Sequence, residues 1–190
     1  VHYLEFAGKR ESIELSESRL VRVAGKALES NVRFVVSDLL VLAGHRDFRD
    51  WFSGDLDDAS TRNPLAEGLR SFVETKTIYD QVRFLDVRGN EVVRINVVDG
   101  EPRIVPLADL QSKADRYYFQ HAISLTAGSI YISRFDLNVE GGEVEVPFKP
   151  TIRFATPVRT EDGESVGVLV LNYSGATLLD ELASITTLAD

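Results

Sequence analysis

The sequence contains no cysteine and no methionine, a single tryptophan and three histidines. Without cysteine there is no disulfide and no thiol chemistry. His2, His45 and His121 are scattered, so no His/Cys cluster offers a zinc site. The absence of methionine, with valine at position 1, is what a segment cut from a longer protein shows. No apolar run reaches the roughly 18 residues that a membrane helix needs, and no signal peptide is visible. Any membrane span is therefore expected outside this stretch. Basic patches are missing too: 21 Lys and Arg stand against 30 Asp and Glu, a net charge of -9. That balance argues against nucleic acid as a partner. There is no Gly-x-Ser-x-Gly, no phosphate-cradling glycine loop and no dinucleotide fingerprint. No catalytic residue, metal or cofactor is expected.

What is present is ordinary for a globular chain: 190 residues, 44% apolar and 27% charged. That is enough for one domain with a core and an appendage. From Glu11 to Gly44 there is no proline, and Leu20, Val21, Ala24, Ala27, Leu28, Val32, Val35, Leu39 and Leu42 form an apolar stripe at helical spacing. Such a helix spans about 50 Å, more than a small domain can cover. Leu20, Ala27, Phe34 and Val41 recur at heptad spacing, which suits the seam of a parallel homodimer. Simple packing on the domain is the alternative. Residues 45–63 read as a polar connection in which Phe48, Trp51 and Phe52 tack the helix end down. A second helix is expected over Leu65–Thr75, capped by Asn63 with Pro64 at its start.

The pattern then switches to period two. Strands are expected at Tyr79–Val87, Glu91–Val98, Ser129–Phe135, Thr151–Arg159 and Ser165–Tyr173. Arg88-Gly-Asn90 and Glu161-Asp-Gly163 mark hairpin turns, Asp99-Gly100 another turn, and residues 138–150 a loop. The last strand is almost wholly apolar and is expected at the centre of the sheet. Residues 176–187 read as an outgoing helix. The fold class is α+β, with a five-stranded, mostly antiparallel sheet and a long N-terminal helix.

Chemistry concentrates between Lys113 and Asp136, read as a short helix followed by a strand. Arg116, Tyr118, Phe119, Tyr131, Ser133 and Asp136 fall on these two elements. A guanidinium forks onto a carboxylate, while aromatic faces and an Asp hold an ammonium. The alternative is that the aromatics are core and Arg116 pairs with Asp115 or Asp136. Arg83, Arg94 and Arg153 lie within strands and could line an anion pocket or be ion-paired. Asp136-x-Asn138-x-Glu140-Gly141 has calcium-loop spacing, but its twelfth position is Pro147 rather than Glu.

The run Arg116-x-Tyr118-Phe119-x-x-Ala122, followed by Tyr131 and Asp136, resembles the ligand-binding pattern of double Cache sensor domains. These are extracytoplasmic, PAS-like modules of bacterial membrane receptors. Tyr118 stands where that family carries Trp, Phe119 where it carries Tyr, and Gln111 at an earlier Tyr position. Tyr79–Asp86, Pro150–Pro157 and Val168–Tyr173 are similar in wording to the sensor halves of histidine kinases and diguanylate cyclases. The resemblance implies a PAS-like fold and a periplasmic site for a small carboxylate or amino-acid-like molecule, lined by Arg116, Tyr118, Phe119, Tyr131, Ser133 and Asp136. It also implies a membrane receptor whose spans flank this stretch and whose output module is a kinase or cyclase. On that reading residues 1–50 are a signalling and dimerisation helix, 51–175 the sensor module, and 176–190 a helix leading onward. A non-binding spacer and, more remotely, a small hydrolase using Asp136 and His121 are the other readings.

Overall fold

The proline-free opening run folds as a single helix, α1 (His2–Gly44), which starts earlier than the expected Glu11. The computed structural model describes residues 2–44, 50 and 58–187, with side chains in α1 described from residue 16 onward. The connection carrying Phe48, Trp51 and Phe52 lies outside the described residues. The next described helix, α2 (Ala59–Glu74), is capped by Asp58 and not by Asn63. The Asp58 carboxylate accepts the Ser60 N–H at 2.8 Å, satisfying one of the free donors of the first turn. Asp, Ser and Thr signal loops because they bond nearby backbone, and the same ability makes them caps. Pro64 consequently sits in the second turn, where its missing N–H forfeits one helical bond.

The strands follow as β1 (Tyr79–Asp86), β2 (Glu91–Val98) and β3 (Glu101–Ile104), then a 3-10 turn and the helix α3 (Tyr117–Ile123). β4 (Tyr131–Ile132), β5 (Asp136–Leu137), β6 (Val139–Glu140) and β7 (Glu143–Val144) are two residues each. β8 (Pro150–Arg159) and β9 (Ser165–Ser174) are long, and α4 (Gly175–Thr187) leaves the sheet. The main sheet has the order β3-β2-β1-β9-β8-β4, with β5 also on β8, and every pair is antiparallel. The architecture is thus α+β with a long N-terminal helix. All five expected strands are present, and β9 is central as its composition requires. The count rises to seven because Asp99 and Gly100, both at positive φ, form a two-residue turn that folds β3 back onto β2, and because β5 pairs separately with β8. The expected strand over residues 129–135 is cut short, for a reason that belongs to the site below. The loop expected at 138–150 holds the separate hairpin β6–β7.

The chain divides into two units, residues 1–34 with 176–190 and residues 35–175. In the first, Asn31 of α1 donates to Glu181 of α4. In the second, α2 packs on β2 and β3, and α3 packs on β8 and β9. Leu85, Ala155, Val168 and Val170 form a cluster with Tyr118, Phe119 and Ala122 of α3. Their alternates along the strands, including Phe84, Leu169, Leu171 and Phe154, are buried on the opposite face. Asp38 ties the last turns of α1 to this unit by accepting from Tyr79 Oη at 2.7 Å and from Lys76 Nζ at 3.0 Å.

Two substitutions test this packing. A Cβ at Gly167 would lie 2.1 Å from the Leu85 carbonyl oxygen and 2.7 Å from the Phe84 ring. Gly167→Ala is expected to cost about 3 kcal/mol in urea unfolding, because the neighbour is backbone and cannot rotate aside. Leu69→Ala, on the fully buried face of α2, is expected to cost about 2–5 kcal/mol. Unfolding midpoints unchanged from wild type would show that the sheet packs otherwise.

Candidate functional site

The sheet face that carries α3 has an apolar half and a charged half. Strand alternation puts Gln81, Arg83 and Leu85 of β1 on one side. The register sets Arg83 opposite Arg94, Gln81 opposite Asn96 and Asn172, and Asn172 opposite Arg153. Leu85 continues into the cluster beneath α3. Gln81 and Arg83 open onto a polar field in which Gln81 donates to Asn96 at 2.8 Å and accepts from Asn172 at 3.1 Å.

Two groups of charges occupy that field. In the first, Arg83 and Arg94 share Glu91. Arg94 Nη1 donates to Glu91 Oε2 at 2.7 Å, and Arg83 Nη1 lies 3.3 Å from Oε1. Glu140 answers Arg83 and Lys113 from the far side, at 3.3 and 3.0 Å. Burial works to raise the Glu140 carboxyl, but the Arg83 charge and then Lys113 hold it down at about 2, so it is an anion at any physiological pH. Burial and the adjacent Arg83 push the Lys113 ammonium below its ordinary value. In the second group, Arg153 pairs with Asp136 and donates to Asn138 Oδ1 at 3.0 Å. Tyr117 Oη donates to Asp136 Oδ2 at 2.7 Å, and burial followed by this bond raises the Tyr117 phenol. The Tyr118 ring lies between the groups, with the Arg153 guanidinium 5.4 Å and the Arg83 guanidinium 5.9 Å from its centre. Its hydroxyl accepts from Arg83 at 3.0 Å.

Asp136 reaches this cluster because of an irregularity in the edge. Tyr131 and Ile132 pair with Ala155 and Phe154, whereas Asp136 pairs with Thr151. Four steps along the edge therefore oppose three along β8, which is a one-residue bulge. Ser133 fills the gap: its N–H donates to the Arg153 carbonyl, and its Oγ accepts the Arg153 N–H at 2.9 Å. A side-chain oxygen here replaces a ladder carbonyl, which is why the expected seven-residue strand breaks. Strict alternation from Tyr131 would have turned Asp136 away. The bulge turns it inward.

The residues singled out from sequence do not all meet. Tyr118, Asp136 and Ser133 gather around Arg153. Tyr131 joins them at one remove, packing edge-on to Tyr117 at 6.3 Å and stacking on His121 at 4.9 Å. Phe119 is buried in the core beside Ala122. Arg116 caps α3, is half-buried, and accepts Phe119 and Gln120 N–H groups at its carbonyl. Arg83, Arg94 and Arg153, secondary candidates on sequence, are the cations at the centre. Glu91, Lys113, Tyr117 and Glu140 were not singled out as binding residues. Arg83 and Glu91 were signalled by charge at inward-facing strand positions, whereas Glu140 lies in a segment without periodicity. The calcium-like spacing over 136–141 places Asp136 and Glu140 against the chain's own cations, and among the described residues no three His, Cys, Asp or Glu side chains gather for a metal.

A polar cavity of about 30 Å³ lies beside Glu140, bordered by Gln81, Asn96, Asn138 and Lys149. It has room for about one water. Larger clefts of about 280 and 210 Å³ lie by Gly128 and Arg159 and between α2 and β3, away from the charged field.

A likeness to known proteins accompanies this geometry. The extracellular domain of the histidine kinase vpHK1S-Z8 is 25% identical, with a TM-score of 0.75 over 88% of this chain and 60% of that one. A domain of a sensory box/GGDEF family protein from Vibrio parahaemolyticus is 24% identical, with a TM-score of 0.71 over 82% and 58%. The ligand-binding domain of the Campylobacter jejuni chemoreceptor Tlp3, in complex with L-valine, is 15% identical and shares the fold, with a TM-score of 0.64 over 86% and 60%. The chain spans about 60% of the length of these structures. No curated protein matches it. The family described as bacterial histidine kinase, sensor domain, matches residues 28–186. That match takes in the whole sheet, both groups of buried charges and most of α4, and the chain belongs to the bacterial histidine kinase sensor domain family.

Proposed function

We propose that this sensor domain is the periplasmic part of an inner-membrane receptor and recognises a small carboxylate or amino-acid-like molecule on the α3 side of its sheet. The observation that carries this reading is the charge balance of the buried field. In direct ion-pair contact, four cations, Arg83, Arg94, Lys113 and Arg153, converge on three carboxylates, Glu91, Asp136 and Glu140. An anionic ligand would bring a fourth carboxylate to these cations, and guanidiniums receive a carboxylate through paired donors. Tyr117, Tyr118 and Tyr131 supply aromatic walls, Phe119 packs behind them, Ser133 sets the edge, and Asp136 is positioned to meet an ammonium. Arg116, at the cap of α3, contributes charge at the rim. The amino-acid ligand of the Tlp3 domain agrees with this class of molecule.

Signal leaves through the helices. Residues 1–50 act as the signalling and dimerisation helix, 51–175 as the Cache sensor module, and 176–190 as the connection onward. A ligand biases only states that it binds differently, so occupation of the field must favour one arrangement of these elements. Val21 and Phe34 of α1 are 73% and 65% exposed, and Leu20 and Ala27 half-exposed, leaving an apolar seam for a second copy.

Screening the domain by thermal shift against small carboxylates and amino acids is expected to yield a stabilising ligand, worth about 2.7 kcal/mol at a hundredfold excess over Kd. No response to any compound would sink the reading. Arg116→Ala is expected to fold and to weaken that stabilisation by roughly 1.5–3 kcal/mol, the worth of a charge-assisted contact. Unchanged affinity would leave recognition to Arg83, Arg94 and Arg153 alone. For the dimer, single cysteines at Leu20 or Ala27 in the membrane-embedded receptor should cross-link between protomers, and silence at both positions would remove the seam.

A further inference from the structure

The hairpin β6–β7 stands apart from the main sheet. Its strands pair with each other and with no strand of that sheet, and Gly141 and Gly142, both at positive φ, close it. Gly141, Gly142, Glu143 and Val144 are exposed. What the hairpin delivers inward is one carboxylate. Glu140 Oε1 accepts from Gln81 at 3.2 Å, Arg83 at 3.3 Å and Asn138 at 3.4 Å. Oε2 accepts from Lys113 at 3.0 Å, with Arg94 Nη1 3.6 Å away. The two guanidiniums belong to the central strands and are built into the fold, whereas the anion between them is brought by a surface turn.

We infer that Glu140 is an internal stand-in for a ligand carboxylate, and that a small anion takes its seat between Arg83, Arg94 and Lys113 by displacing the β6–β7 hairpin. This rests on the reading that the domain senses a small carboxylate, and it locates the seat and the competitor. The guanidinium forks are only partly used: Arg83 Nε and Arg94 Nε are buried without a hydrogen-bond partner. A ligand carboxylate, free of the hairpin's tether, can align with those donors. The polar 30 Å³ cavity adjoins the Glu140 side chain, so a withdrawn carboxylate leaves its own volume added to a hydrated space. The Glu140 side chain is 23% exposed and that of Arg83 2%, which makes the hairpin carboxylate the layer between the cations and solvent. Apparent ligand affinity then falls by the fraction of molecules in which Glu140 is seated.

The test uses acetate, which carries the carboxylate of Glu140 without its stem, at constant ionic strength against chloride. Glu140→Ala is expected to lower Tm in carboxylate-free buffer, and acetate to restore it saturably. Half-saturation should come at about tenfold lower acetate, or less, than for wild type or for Glu143→Ala on the same hairpin. If Glu140→Ala does not fold, Glu140→Gln keeps the shape without the charge and should show the same gain. A folded variant that responds to acetate as wild type does overturns the proposal. Acetate capture by the variant, with no response of the wild-type domain to any carboxylate or amino acid, would uphold the seat and sink the sensing reading. A ligand that binds wild type with no gain in either Glu140 variant would do the reverse.

Discussion

A guanidinium placed in the middle of a β-sheet must be answered by a carboxylate, and the second unit is arranged around meeting that demand twice. Arg83 and Arg153 are 1% and 2% exposed. Left unpaired, either would cost several kcal/mol, far more than a surface ion pair returns. The sheet register brings Glu91 to Arg83, and the bulge before β5 brings Asp136 to Arg153. The hairpin brings Glu140, and Tyr118 fills the space between the two cations. The short elements after α3 make sense as carriers of countercharge, since two-residue strands bury little apolar surface of their own.

The same demand separates what was legible in the sequence from what was not. Short apolar-rich runs bounded by turn residues placed β1, β2, β8 and β9, because those strands are buried largely on both faces and such a run is a direct print of that burial. Of the Arg116-to-Asp136 run, Tyr118 and Asp136 lie among the buried charges, next to Arg83 and Arg153. Arg83 and Glu91 were harder to see as buried residues, since a charged residue in a strand more often faces water. Glu140 could not be reached by periodicity, because a two-residue strand has none. The boundaries of α2 and of the strand at 129–135 failed for a common reason. A side-chain oxygen, Asp58 in one case and Ser133 in the other, took a backbone role that pattern reading assigns to the main chain alone.

The last turns of α1 are not merely packed against this unit. Asp38 accepts from Tyr79, the first residue of β1, the strand that also carries Gln81 and Arg83. A helix that continues into the other unit is thereby bonded to the strand at the heart of the charged field. The same carboxylate accepts from Lys76, so the last turns of α1 are held by two polar contacts at the start of β1.

The bulge between β4 and β5 carries a further implication. Which side chain enters the cluster from this edge is decided by the count of residues between Ile132 and Asp136, since the side-chain period of a strand is two. Adding one residue there, with the bulge kept, would turn Asp136 outward and bring Phe135 to the Arg153 side, with the rest of the sheet untouched. A lineage could thus exchange an acidic lining for an aromatic one by changing the length of an edge, leaving every other lining residue as it was. The chemistry that this edge presents to Arg153 would then vary by strand register as well as by substitution.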